Sequence, residues 1–285
     1  MGKSVILSLS FLLIELICNG QNTNIKPVSG CDCTNKKTQD SLVQKYLDSG
    51  AEKHSYNSIQ WQLYCDSIIE ICPNIAVAYQ LKAIPFIKYG QYEKAFLLED
   101  KAVELDPKGF TAYRGFLKCI FTKDYDGSIL DFKKAQQLIP NSYEMDHTYL
   151  FYEGLCNLEL GNYSKAEANF KKDIFIQTKG DTLKTVHFNT LFYLGVLYYE
   201  MKKFKIAQKY FLKCIAIYKQ HSNANYYLAL VYKKMKNYPF ENKYLQFSKQ
   251  AFINGYGLNE DNVYYAYYPH QITLYEIEEA IKREK

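Results

Sequence analysis

The chain has 285 residues, 48% of them apolar and 23% charged, enough to bury a large core in one extended domain or two compact ones. That composition excludes a disordered chain. The excess of 35 Lys+Arg over 30 Asp+Glu leaves +5, too little over this length to argue for nucleic acid or an anionic membrane as partner.

Lys3 precedes a mostly apolar run from Val5 to Ile14, Glu15 interrupts it, and Cys18-Asn19-Gly20 ends in a small residue. This is the layout of a secretory signal peptide over residues 1–20, with the mature chain starting at Gln21. The run is too short to span a bilayer stably, and Glu15 argues further against a permanent anchor, so the mature chain is expected to have no transmembrane span. A lipid anchor on Cys18 is the rival reading, but Ile17 stands where such processing normally needs Gly, Ala or Ser. The expected location is exported, periplasmic or secreted.

Residues 21–38 carry Asn, Thr, Lys, Pro27 and Gly30 with little that is apolar, and read as a flexible leader. The leader holds Cys31 and Cys33. With Cys65 and Cys72 they offer one or two disulfides that would pin it to the first helical pair in an oxidising compartment, with the pairing left open. Cys119, Cys156 and Cys214 fall on apolar stretches and read as core. A metal site on Cys31 and Cys33 lacks a nearby histidine or second cysteine pair, so none is expected.

From about Gln39 the apolar residues follow helical spacing. In the first unit Trp61, Cys65 and Ile68 share a face of its second helix, and Pro73 ends it. In the second, Ala76 to Gly109, Tyr79, Ala83 and Phe86 precede Gly90 and Tyr92 at a turn, then Ala95, Ala102 and Pro107. Pro85 inside its first helix should kink it. The third, Phe110 to Ser142, keeps Tyr113, Tyr125, Phe132, Ala135 and Pro140. After a short insertion near Tyr143 to Asp146, the fourth, His147 to Gly180, keeps Gly154, Gly161, Tyr163, Ala166 and Phe170.

The fifth, Phe188 to His221, is the clearest. Leu191, Leu194, Gly195 and Tyr198 share one helical face, and Phe204, Ala207, Phe211, Cys214 and Ile217 repeat the pattern after Met201-Lys202-Lys203. The sixth, Ser222 to Gly255, keeps Leu228, Ala229, Tyr232 and Tyr238. Beyond it, Tyr256 to Lys285 breaks the period with a Tyr-rich loop, Pro269 and a helix from about Gln271. Acidic Glu276, Glu278 and Glu279 come first in that helix and basic Lys282, Arg283 and Lys285 last, which suits its dipole.

Proline at 73, 107 and 140 recurs at spacings of 34 and 33 residues. A period of that size, spelled helix, turn, helix, proline, resembles the tetratricopeptide repeat over about three quarters of the chain. The resemblance implies an all-α solenoid of five to six helix-turn-helix pairs over 39–255, closed by a loop and capping helix over 256–285. Small residues at Ala83, Gly154, Gly195 and Ala229 would let paired helices approach closely beside large aromatics.

No HExxH, zinc spacing, phosphate loop or nucleophile elbow is present, and His54, His147, His187, His221 and His270 are scattered along the sequence. The chain is therefore expected to be no enzyme and to carry no cofactor. Proteins that this chain resembles bind extended peptide or protein segments along the inner wall formed by the first helices. Carried over by position, that wall presents Arg114, Lys118 and Phe121, then Phe151, then Phe192 and Tyr199, then Tyr226 and Lys233. These make an aromatic groove, basic at one end, suited to a protein partner. The alternative is that Phe151, Phe192 and Tyr199 pack against neighbouring helices. The carboxylate clamp of chaperone-binding relatives is missing, since Gln80, Ile84, Gly115, Thr148 and Tyr152 occupy its places.

Overall fold

The computed structural model describes residues 32–179, 186–257 and 267–282, so the signal segment, Cys18 and Cys31 lie outside the described residues. Helix α1 (Lys36–Val43) continues through a π-helical turn (Gln44–Asp48), and a short 3-10 turn (Ala51–Lys53) leads to α2 (Ile59–Ile71). α1 begins inside the stretch expected to be a flexible leader, because Asn35 caps it by accepting from the backbone N–H of Lys37 and Thr38. A Cys33–Cys72 disulfide ties this entry to the end of α2, while Cys65 is a buried free thiol.

Five antiparallel hairpins follow in the expected phase. They are α3 (Ala76–Lys88) with α4 (Tyr92–Leu105), α5 (Pro107–Leu117) with α6 (Tyr125–Leu138), and α7 (Tyr149–Glu159) with α8 (Tyr163–Thr178). The last two are α9 (Phe188–Glu200) with α10 (Phe204–Ile217), and α11 (Ser222–Lys234) with α12 (Tyr238–Ile253). Each helix packs on the one before and the one after, as a solenoid requires. The insertion before α7 forms a two-residue ribbon in which β1 (Tyr143–Glu144) pairs antiparallel with β2 (His147–Thr148).

The turns explain the phase. Gly90 and Gly161 adopt φ of 69° and 73° between paired helices, the left-handed region that glycine enters without strain. The other three hairpins place a lysine there: Lys123, Lys202 and Lys236 have φ of 58°, 59° and 57°. Entry to the helices is capped by side chains. Asp106, with Pro107 at the first helical position, accepts from Gly109 N–H; Asp124 accepts from Gly127 N–H and Thr148 from Phe151 N–H.

Packing within a hairpin depends on small residues facing rings. A Cβ added to Gly154 would lie 2.8 Å from the Phe170 ring, and one on Gly195 would lie 2.4 Å from that of Phe211. Ala83 and Ala229 are fully buried as well. Pro85 does not end α3. Its missing N–H leaves the Leu81 carbonyl without its helical partner, and the Trp61 indole N–H donates to that oxygen at 2.9 Å. Gln62 Nε2 likewise donates to the Lys82 carbonyl at 3.2 Å. The chain's single Trp thus supplies a hydrogen bond that the proline removes.

A continuous apolar core runs from Ala83 to Tyr268, and a smaller one joins Leu47, Trp61, Cys65, Ile68 and Leu81. The last helix, α13 (Leu274–Lys282), packs on α12 through buried Ile277 and a Lys249–Glu278 ion pair at 2.9 Å. A capping box starts it: Glu276 accepts from Thr273 N–H at 2.7 Å, and Thr273 Oγ1 from Glu276 N–H at 3.3 Å.

Candidate functional site

The first helices α5, α7, α9 and α11 form one wall, and the chain's own residues 267–272 lie across it. Three main-chain carbonyls of this segment are met by side chains from separate hairpins. Lys123 Nζ donates to Tyr267 O, Tyr193 Oη to Pro269 O at 2.9 Å, and Asn223 Nδ2 to His270 O at 3.2 Å. Tyr268 is 97% buried and its hydroxyl lies 3.5 Å from that of Tyr152. Pro269 and Ile272 are buried as well.

The segment is folded into a tight turn. Gln271 N–H donates to Tyr268 O at 3.1 Å, Pro269 takes the second position and His270 the third with φ of 60°. That pattern is a type II β-turn, in which proline presets the first central residue and the second must be left-handed. The side chain of Gln271 closes the turn by accepting from Tyr268 N–H at 3.2 Å. His270 is held from both ring nitrogens. Tyr227 Oη lies 2.9 Å from Nδ1, and Glu159 Oε1 lies 3.0 Å from Nε2. Burial pushes the Tyr227 phenol up, so it stays protonated and can donate to Nδ1, while Glu159 lies within ion-pair distance of Nε2.

The residues picked out by the resemblance sit close by, in a different register. Phe151 and Phe192 are fully buried and Phe121 nearly so, which removes all three from the accessible surface. Phe151 packs against Phe170 and Tyr193, Phe192 against Phe211 and His221, and Phe121 against Tyr92 and Phe116. The tyrosines that touch the turn are Tyr152, Tyr193 and Tyr227, each one residue after Phe151, Phe192 and Tyr226. One residue is about 100° of rotation on a helix. Tyr199 and Tyr226 remain half-buried, both edge-on to Tyr227.

The expected basic end is neutralised within the chain. Arg114 grips Asp131 with Nε at 3.0 Å and Nη2 at 2.5 Å, reaches Asp100 with Nη1 at 2.6 Å, and shares Asp131 with Lys118 at 2.8 Å. A bidentate pair at a buried carboxylate is structural rather than a docking charge. Lys233 is paired with buried Glu241 at 2.9 Å.

Three of the histidines that look scattered in sequence, His147, His187 and His221, converge. Asn189 bridges His147 Nε2 at 3.4 Å and His221 Nε2 at 3.1 Å, and His187 stands edge-on to His147 with ring centroids 4.6 Å apart. His221 Nδ1 accepts from Ala224 N–H, so Nε2 carries its proton and donates to Asn189 Oδ1. Burial, reinforced by nearby His187, lowers the His221 pKa to about 3. Next to this row, fully buried Asp173 accepts from Thr148 at 2.6 Å, Thr190 at 2.7 Å and Gln177 at 2.8 Å, locking α7, α8 and α9 together. Among the described residues no group of three or more His, Cys, Asp or Glu could hold a metal ion.

No family model and no curated protein matches the chain in sequence. Solved structures do match in shape. PilW, described as a widely conserved type IV pilus biogenesis factor, superposes with a TM-score of 0.61 at 15% identity, over 79% of this chain and 97% of its own. PilF of Pseudomonas aeruginosa gives 0.56 at 16% identity, over 75% and 92%. This chain has the tetratricopeptide-repeat fold. MamA gives 0.50 at 18% identity, over 65% of this tetratricopeptide-repeat chain and 97% of its own.

Proposed function

We propose that the chain is a non-catalytic scaffold that holds a segment of another protein against the wall of first helices. The observation that carries this reading is the seating of residues 267–272, whose carbonyls are met by donors from three separate hairpins. Side chains that address main-chain carbonyls accept many sequences, while the pockets for Tyr268 and His270 select among them. The hydroxyl, imidazole and carboxylate that line up on that wall, Tyr227, His270 and Glu159, hold the seated turn in place, which fits binding. A pull-down with the mature chain tests it. The pair Tyr199→Ala, Tyr226→Ala should reduce capture of the partner identified with the unaltered chain, and capture unchanged by both would contradict the reading.

Export supports the same picture. The layout of residues 1–20 is that of a signal peptide, the Cys33–Cys72 bridge suits an oxidising compartment, and no helix among the described residues is long and apolar enough to cross a membrane. Likeness in fold to PilW, a pilus biogenesis factor by its description, favours a second reading, an accessory subunit of a cell-envelope assembly anchored by lipid on Cys18. Mass spectrometry of the amino terminus separates the two: a free or cyclised Gln21 excludes the acyl anchor.

A further inference from the structure

The sequence led to an extended peptide as the ligand of the wall, whereas the segment seated there is a proline turn with one tyrosine driven into the core. Its fit is specific in two places. Tyr268 is 97% buried beside Tyr152, and His270 is clasped between Tyr227 and Glu159 in the left-handed conformation that the turn requires. The remaining contacts go to carbonyls, which a turn from another chain would present in the same places. The far side of the segment is fixed independently, because α13 is anchored on α12 by Ile277 and the Lys249–Glu278 pair. Weakening the turn therefore leaves the cap's own contacts in place.

Building on the scaffold reading, we propose that the wall binds a tyrosine-proline β-turn of a partner protein, of Tyr-Tyr-Pro-His type, and that the chain's own residues 267–271 occupy this site until displaced. The chain's own turn is a competitor at very high local concentration. A trans ligand then sees an affinity reduced by the fraction of molecules in which the site is vacant.

The test uses the full mature chain and a labelled peptide, Tyr-Tyr-Pro-His-Gln-Ile, in fluorescence anisotropy. Two variants alter only the occupying turn, His270→Ala alone and His270→Ala with Tyr268→Ala, and circular dichroism reports whether each keeps its helices. The milder variant keeps the test valid where the double one fails to fold. Peptide binding should tighten on the order of tenfold or more on release of the competitor. A peptide with Ala in place of Pro should bind less well, because the turn is no longer preset. Adding Tyr193→Phe to His270→Ala should weaken the peptide by removing the donor to the proline carbonyl. Equal binding to the wild type and His270→Ala, or binding indifferent to the proline and to Tyr193→Phe, would overturn the proposal. So would the absence of binding to any variant. That failure would leave the scaffold reading standing if partner capture still depended on Tyr199 and Tyr226, and the two ideas are thus separable.

Discussion

Gly195→Ala should destabilise the chain, although alanine is the better helix former. The added methyl would lie 2.4, 2.5 and 2.8 Å from three atoms of the Phe211 ring. That ring is fully buried and packed between Phe192 and Tyr227, so it has no open space to move into. Overpacking of a core usually costs about 1–3 kcal/mol, and contacts below 3 Å on a confined ring place this site near the upper end. The gain in helix propensity offsets about 1 kcal/mol. The net expectation is a loss of about 2 kcal/mol, read from urea unfolding with CD and tyrosine fluorescence followed together, since a stack of repeats can unfold in parts. Phe211→Leu in the same molecule should relieve the clash, giving a coupling of about 1–2 kcal/mol in a double-mutant cycle. Gly195→Ala as stable as the wild type, or additive with Phe211→Leu, would refute the claim that this glycine is held by the ring opposite.

Three further outcomes are expected. Trp61→Phe should cost about 1–3 kcal/mol in urea unfolding beyond the lost ring volume, because it orphans the Leu81 carbonyl that Pro85 cannot satisfy; Pro85→Ala should reduce that penalty by restoring an N–H, and an unchanged penalty would contradict the link. Glu99 is fully buried with both carboxylate oxygens lacking a hydrogen bond, and burial pushes its pKa from 4.5 up to about 8. The folded state then holds the proton more tightly, so its contribution is fully present below pH 4.5 and is lost as pH rises through 8, and Glu99→Gln should abolish a loss on the order of 4 kcal/mol between those limits. His221 has the opposite sense: with its pKa lowered from 6.5 to about 3, the unfolded state binds the proton first, stability falls as pH drops from 6.5 towards 3, and His221→Gln should flatten that slope in thermal melts.

The helical pairs were legible because their punctuation is chemical. Gly90 and Gly161 mark turns that need a positive φ, Pro107 opens a helix, and Gly115, Gly154 and Gly195 each face a ring across their hairpin. Lys123, Lys202 and Lys236 fill the same turn position without announcing it, so the other turns are visible only through the period. The wall was harder. Spacing places Phe151, Phe192 and Tyr226 on a first helix, but an error of one residue turns a side chain by about 100°, and it is Tyr152, Tyr193 and Tyr227 that reach the turn. Nor does charge counting reveal that Arg114 and Lys118 are consumed by Asp131, which lies on the following helix. The convergence of His147, Asn189 and His221 depends on how successive hairpins stack, and no local pattern encodes it. The Tyr-rich stretch before α13 was legible as a break in the period. The place of residues 267–272 on the wall is a long-range contact, between residues more than a hundred positions apart where Tyr152 meets Tyr268.

The most direct test of the account is a photo-crosslinking amino acid placed in intact cells at Tyr226, half-buried on the wall, and at Leu97, 74% exposed on the second helix of a hairpin. The account predicts a discrete adduct to one partner protein from position 226 and none to that partner from position 97. The same adduct from both positions, or from position 97 alone, would contradict it.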